Sequence, residues 1–351
     1  MAAGQNSAYG SDVNFTSGKF ISLTAAILMG IVGALLVSTD RSVQAAQTMS
    51  CGCHPQKATK QNVHKPVKDG ECLSCHKPSG ESHPKVKKGA FLLTDNGKAG
   101  LCNECHERKD TKKFVHGPVA SGDCLECHDV HQSDNKFQLK EPGSALCFIC
   151  HEKAKMDRKF PHPPIAEGKC TGCHDPHQSD NKYMLKAEGS NLCVKCHDKS
   201  MFTGSTVHAP VAAGECNSCH ATHGTQFPKL LKRYFPEEFY APFDKGNFAL
   251  CFGCHSAGLA DDQRTGADTN FRNGMFNLHF LHVNKPDKGR SCKVCHDPHA
   301  SSQPKLISSK VSGFGRWRIP IRYTKVDVGG TCVVGCHKPK TYNRNDPVVY
   351  Q

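Results

Sequence analysis

Every one of the 22 cysteines in this 351-residue chain belongs to a pair that is followed immediately by histidine. Nine pairs read Cys-x-x-Cys-His: Cys72 and Cys75 with His76, Cys102 and Cys105 with His106, Cys124 and Cys127 with His128, Cys147 and Cys150 with His151, Cys170 and Cys173 with His174, Cys193 and Cys196 with His197, Cys216 and Cys219 with His220, Cys251 and Cys254 with His255, and Cys292 and Cys295 with His296. Two are variants. Cys51, Cys53 and His54 are one residue short, and Cys332, Cys336 and His337 are one residue long. Zinc takes four ligands at varied spacing, and a thiol redox centre takes one pair near a strand–helix junction. Neither needs a histidine directly after the second cysteine. Covalent haem does, because two thioethers and one axial imidazole must reach the same macrocycle from one side, and one short helical turn delivers all three. The pattern therefore predicts eleven haem c groups, each with its iron held by the motif histidine.

That reading also resolves a packing problem. The hydrophobic share of 37% includes the 22 cysteines, and the chain has one tryptophan, 31 glycines and 20 prolines. A chain of this length normally buries a large apolar core, and here the side chains for one are missing. Eleven flat apolar cofactors would supply the interior instead. The density of proline and glycine argues for loops and short turns. The expected fold is mostly irregular, with short helices and very little sheet, as an elongated repeat wrapped around a chain of haems.

The cysteine pairs are themselves paired. Cys124 to Cys170, Cys170 to Cys216 and Cys147 to Cys193 are each 46 residues apart, and the openings VHKPVKDGEC, VHGPVASGDC, PHPPIAEGKC and VHAPVAAGEC share one pattern. A fixed period of this length marks stacked repeats. The chain then divides into an N-terminal segment over 1–45, a single-haem segment over 46–62, and haem-pair units over 63–114, 115–160, 161–206, 207–275 and 276–351. The fourth unit carries an aromatic-rich insertion, KRYFPEEFYAPFDKGNF, which reads as a cap, a contact surface or a solvated loop.

Half of the 22 histidines lie outside the motifs: His64, His83, His116, His131, His162, His177, His208, His223, His279, His282 and His299. One spare histidine per haem predicts a second axial imidazole on every iron. Eight of them recur at fixed places, either eight residues before a cysteine pair (His64, His116, His162, His208) or three after a motif histidine (His131, His177, His223, His299). Residues i and i+3 share one face of a helical turn, so His177 cannot readily swing to the far side of the haem that His174 binds. It is expected to serve a neighbouring haem, as are His131, His223 and His299. Irons capped twice have no open position, which argues for electron transfer over catalysis, with the Cys51 and Cys332 sites as the exceptions to watch.

The formal charge of +13 suggests a nucleic-acid or anionic-membrane partner. Two propionates per haem, against one net positive charge at each oxidised iron, bring the total to about +2 and remove that inference. Phe20 to Val37 is uncharged and is followed by SVQAAQ, which reads as an export signal or a retained membrane anchor. Arg316 to Val326 alternates, with Trp317, Ile319, Ile321 and Tyr323 on one face, and Pro320 confines it to an edge strand or an extended arm. It either packs over the last haem or docks on another subunit by strand addition.

The repeat His-x-Pro-Val-x-x-Gly-x-Cys-x-x-Cys-His-x-x-His, followed by Leu-Cys-x-x-Cys-His, resembles the doubled-CXXCH family of multihaem c-type cytochromes over roughly residues 51–340. It is similar to decahaem cytochromes seated in outer-membrane porins and to multihaem cytochromes of metal-reducing bacteria, some of which polymerise into filaments. The resemblance implies bis-histidine haems of low potential in long-range electron transport. The expected protein is an exported undecahaem electron conduit, periplasmic, outer-membrane-associated or extracellular. Its expected partners are other redox proteins or extracellular electron acceptors, further copies of itself in a filament, or a porin, with no nucleic acid and with membrane contact only through a retained N-terminus. The alternatives are a multihaem reductase of nitrogen or sulfur oxyanions, and an anchored cytochrome subunit of a quinol-linked complex.

Overall fold

A computed structural model of the chain describes residues 53–86, 88–313 and 316–350. The chain parts into Met1–Thr48 and Met49–Gln351. The export segment and Cys51 lie outside the described residues. Among the described residues no helix is long and apolar enough to cross a membrane.

The first four haem-pair units open in the same way, and their sequence says why. The spare histidine is extended and stands just before a four-residue helix: Lys65–Lys68, Gly117–Ala120, Pro163–Ala166 and Ala209–Ala212. Proline lies in the first turn of each, where its missing N–H costs nothing and its fixed φ favours the helix. Gly70, Gly122, Gly168 and Gly214 then stop the helix at φ between 69° and 77°, a left-handed conformation that glycine takes without penalty. A 3-10 turn carrying the first cysteine pair follows at once, over Cys72–Ser74, Cys124–Glu126, Cys170–Gly172 and Cys216–Ser218. The constant eight-residue offset from histidine to cysteine is thus one helical turn, one glycine stop and the entry to the next turn.

Consecutive units interlock through two-residue antiparallel ladders. Asn62–Val63 pairs with Gln132–Ser133, Phe114–Val115 with Gln178–Ser179, Phe160–Pro161 with Gly224–Thr225, and Thr206–Val207 with Ala300–Ser301. Side chains reinforce the first two joints. The Gln132 amide oxygen accepts from the Thr59 and Lys60 N–H groups at 2.6 and 2.8 Å, and Gln178 does the same for Thr111 and Lys112 at 2.7 and 2.9 Å.

Sheet is scarce until the C-terminus, where Lys310–Ser312, Arg318–Val326, Gly329–Val334 and His337–Asn343 form a four-stranded antiparallel sheet in chain order. The expectation for the segment after Arg316 is corrected here: Arg318–Val326 is an internal strand and not an edge or a free arm. Its first residues pair with Lys310–Ser312 and its later ones with Gly329–Val334. Pro320 is tolerated because its missing N–H falls where the partner strand changes, while its carbonyl accepts from Gly335. The alternation holds at its centre, where Ile319 and Ile321 are buried and Arg318 and Arg322 exposed, while Trp317 is exposed and Tyr323 half-buried.

Two small apolar clusters lie in the C-terminal third of the chain, and the second includes strand residues of this sheet. Ala241, Phe248, Ala260 and Val283 gather Phe235, Phe243 and Phe252, while Val294, Val311, Ile319 and Ile321 gather Phe239, Ile307 and Val334. The aromatic insertion of the fourth unit is therefore core rather than solvated loop.

Candidate cofactor centres: facing imidazoles and adjoining cysteines

The motif turns place cysteine and histidine together in the way a single turn allows. The N–H of His106, His128, His151, His174, His197, His220, His255 and His296 each donates to the carbonyl of the first cysteine of its own pair, at 2.9–3.1 Å. The last motif differs. Cys332 lies on the strand Gly329–Val334, Cys336 follows in the turn, and His337 opens the strand His337–Asn343. The expectation of a helical turn at every site is corrected at this one: a β-hairpin, with a register shift between Cys332 and Val334, carries the extra residue.

Ten motif histidines each face one of the eleven spare histidines. Four pairs join the spare histidine that opens a unit to that unit's second motif: His64 with His106 at 5.9 Å between ring centroids, and His116 with His151, His162 with His197 and His208 with His255 at 6.1 Å. Four others cross to the following unit: His76 with His131, His128 with His177 and His220 with His299 at 6.1 Å, and His174 with His223 at 6.0 Å. His54 faces His83 at 5.9 Å and His279 faces His296 at 6.3 Å. The ring planes lie 2–33° apart. His337 and His282 make no such contact with each other, although His337 is near enough to act on the charge of His282.

Six ångströms is too wide for face-to-face ring contact. It matches two imidazoles bound through nitrogen on opposite sides of one metal at about 2 Å each, a typical metal–imidazole bond length. Tautomer geometry fits as well. Nδ1 of His64, His116 and His208 lies 3.0 Å from the carbonyls of Val130, Pro176 and Pro298, and Nδ1 of His128, His174, His220 and His296 lies 2.8–3.0 Å from those of Phe137, Tyr183, Lys229 and Lys305. A carbonyl only accepts, so these rings carry their proton on Nδ1 and leave the Nε2 lone pair for a metal. Burial holds His131, His177, His223 and His299 below the ordinary imidazole range and pushes His279 down to about 3, which keeps these rings neutral and able to ligate.

The two kinds of spare histidine are locked to one another at each joint. The N–H of His64, His116, His162 and His208 donates to the carbonyl of His131, His177, His223 and His299 respectively, at 2.9–3.4 Å. Asp129, Asp175 and Asp297 each accept from the backbone N–H of the histidine two residues on, at 2.9–3.0 Å, which fixes the turn between motif and spare histidine.

The cysteines run on from site to site in sequence order. Cys102 and Cys124, Cys147 and Cys170, Cys193 and Cys216, and Cys251 and Cys292 sit close enough to act on one another's charge, linking the second motif of one unit to the first of the next. Within units, Cys75 and Cys105, Cys127 and Cys150, Cys173 and Cys193, Cys219 and Cys254, and Cys295 and Cys332 sit close enough to act on one another electrostatically. Burial, ahead of the neighbouring sulfur, pushes the Cys102 and Cys193 thiols up to about 11. All described cysteines are free, and among the described residues no three His, Cys, Asp or Glu side chains converge as metal ligands.

One supporting device gave no sequence signal. Phe137-Gln138, Tyr183-Met184, Lys229-Leu230 and Lys305-Leu306 all adopt left-handed φ of 51–59°. The first residue of each dipeptide supplies the carbonyl that faces Nδ1 of the motif histidine nine residues earlier. Phe137 and Tyr183 are 76% exposed, so the backbone and not the ring is what the site uses. A left-handed non-glycine residue costs about 1–2 kcal/mol, and the strain sits where it aims an imidazole. Tyr183→Gly should therefore leave the stability of the cofactor-loaded protein unchanged or raise it by up to about 1 kcal/mol, and the β-branched Tyr183→Ile should lower it by about 1–2 kcal/mol. Denaturant unfolding followed by visible absorbance checks both.

The family described as Doubled CXXCH motif matches the chain over residues 64–111, 116–156, 162–202, 208–259 and 284–314. Those segments hold the nine standard motifs and leave out the variants at Cys51 and Cys332. No curated protein matches the chain.

Proposed function

The chain belongs to the doubled CXXCH motif family of multihaem c-type cytochromes, and from that premise we propose that it is an exported undecahaem electron conduit. Haem c, when bound, supplies a one-electron iron couple whose potential the protein sets through axial ligands, hydrogen bonding and burial. The eleven cysteine pairs would hold the macrocycles by thioether bonds, and His54, His76, His106, His128, His151, His174, His197, His220, His255, His296 and His337 would ligate the irons from the motif side. His83, His131, His64, His177, His116, His223, His162, His299, His208 and His279 would cap the first ten from the other side, in that order. His282 alone among the spare histidines faces no motif histidine in this way.

The observation that carries the reading is the set of ten imidazole pairs at 5.9–6.3 Å. The cysteines support the conduit role, since their contacts join sites two to eleven in one unbroken sequence and leave no site as a side branch. The five haem-pair units, each clasped to the next by a shared histidine, are the protein's repeat. The uncharged run from Phe20 to Val37 supports export across the cytoplasmic membrane. The Cys53–His54 and Cys336–His337 sites stand first and last in the series, so electrons would enter and leave there, to a redox partner or to another copy of the chain.

Purified from a host that matures c-type cytochromes, the protein should carry about eleven thioether-linked haems by mass spectrometry and pyridine haemochrome absorbance, with low-spin signals from nearly all of them. A colourless product, or markedly fewer than about nine attached haems, would sink the reading.

A further inference from the structure

The eleventh centre departs from the other ten at three independent points. Its histidine alone, among the described motif histidines, faces no second imidazole at about 6 Å. Its cysteines lie on a β-hairpin and not on a helical turn. The Nδ1 of His337 has only the carbonyl of the next residue, Lys338, as partner, at 2.6 Å, so nothing distant fixes the ring.

The remaining spare histidine, His282, is held where it is. It lies on the helix Leu278–Val283 three residues after His279, which faces His296 and has Thr269 Oγ1 3.1 Å from its Nδ1. Asn277, fully buried, caps that helix by accepting from the N–H groups of His279 and Phe280 and anchors it by donating to the carbonyls of Leu259 and Asp262. The carbonyl of His282 accepts from Arg290 N–H at 2.9 Å, and its ring lies 5.9 Å from that of Phe271. The hairpin is fixed in turn by its pairing within the C-terminal sheet. Helix and hairpin are thus fixed by separate contacts, and their two rings, though near enough for His337 to act on the charge of His282, do not face one another.

We propose that the eleventh iron, held by His337, is not capped by His282 and keeps its sixth position open to a small exogenous ligand. The ligand class is a small π-accepting molecule that binds reduced iron without a charged pocket. Because Cys295 of the tenth site adjoins Cys332 and Cys336, the open centre is also one end of the series. The inference rests on the cytochrome reading above.

Carbon monoxide titration of the dithionite-reduced protein tests it, with haem content measured on the same sample so that loss of the cytochrome reading shows as missing haem and not as missing uptake. The expected result is uptake of about one carbon monoxide per chain, changing about one-eleventh of the Soret absorbance. The variant in which Cys332, Cys336 and His337 are all alanine should lose one haem and all uptake. His282→Ala should bind the same single equivalent as the parent. Full haem content with no uptake in the parent overturns the proposal. So does uptake that persists without the eleventh site, or uptake that rises from none to one on His282→Ala.

Discussion

Produced without haem attachment, the full-length chain should show no cooperative unfolding and no protected amides between residues 53 and 232. Hydrogen exchange read by mass spectrometry on protein made in a host lacking cytochrome c maturation would report it directly. The reason is the distribution of the core. Among the described residues, Ala90 is the only buried hydrophobic residue before Ala241. What is buried over the first joints is polar: Gln132, Ser133, Ser179 and Thr225. Those groups are satisfied by hydrogen bonds that fix register, but a hydrogen bond is worth only about 1 kcal/mol net, while ordering one residue's backbone costs about 1–2 kcal/mol. The helices of the repeat are four or five residues long, well below the length at which a helix holds in water by itself. Nothing in that stretch of polypeptide can offset its own ordering, and the proposed macrocycles have to. The C-terminal region differs, since it holds two aromatic and aliphatic clusters, one of them built into its sheet. Residual protection confined to residues 235–343 fits this account. Cooperative unfolding of the apoprotein across the first three units would refute the claim that cofactor replaces core.

How much of this was legible in the sequence follows from what carried the signal. The motif turns, the repeat and the division of spare histidines into two recurring positions were all visible, because covalent attachment and axial ligation leave little freedom in residue type or spacing. The three-residue offset of His177 from His174 pointed to a neighbouring site by simple helical geometry, and the structure brings His177 against His128. The left-handed dipeptides were invisible. Phe137-Gln138 and Tyr183-Met184 carry no glycine or asparagine to mark them, because the conformation is imposed by the ladders and carbonyl contacts around them and not by local preference. Only the first unit leaves a clue, with Asp95 and Asn96 at φ 50° where such residues are tolerated. The aromatic insertion lacked the periodicity of a helix or a strand, since Phe235, Phe243, Phe248 and Phe252 converge from turns. Pro320 misled because a strand that changes partners midway offers an internal place for a residue without an N–H.

Replacing a histidine of one unit should open an iron of the unit before it. His177 lies in the third unit, three residues after His174, yet its ring faces His128 of the second unit at 6.1 Å, while His174 faces His223 of the fourth. His177→Ala should therefore convert one centre to high spin and add about one carbon monoxide per chain to the uptake of the reduced protein. Electron throughput in a protein film should fall at least about tenfold, the lower bound for losing even an outer-shell partner of a metal site. The location of the damage decides between a crossed and a local ligand. When Cys124, Cys127 and His128 are also removed, the new high-spin signal should vanish with the haem it came from. When Cys170, Cys173 and His174 are removed instead, it should persist. The opposite pattern would mean that His177 caps the haem of its own motif and that the units are not clasped through shared irons. A methionine at position 177 separates ligation from folding: a sulfur ligand should restore low spin and raise the potential of that one centre, as methionine–histidine ligation does in cytochromes c. A purely structural role would give no such shift. The backbone of His177 also accepts from the His116 N–H at 2.9 Å, and alanine preserves that bond, so the joint itself should survive the substitution. What is lost is the imidazole alone, and with it the step from one unit to the next.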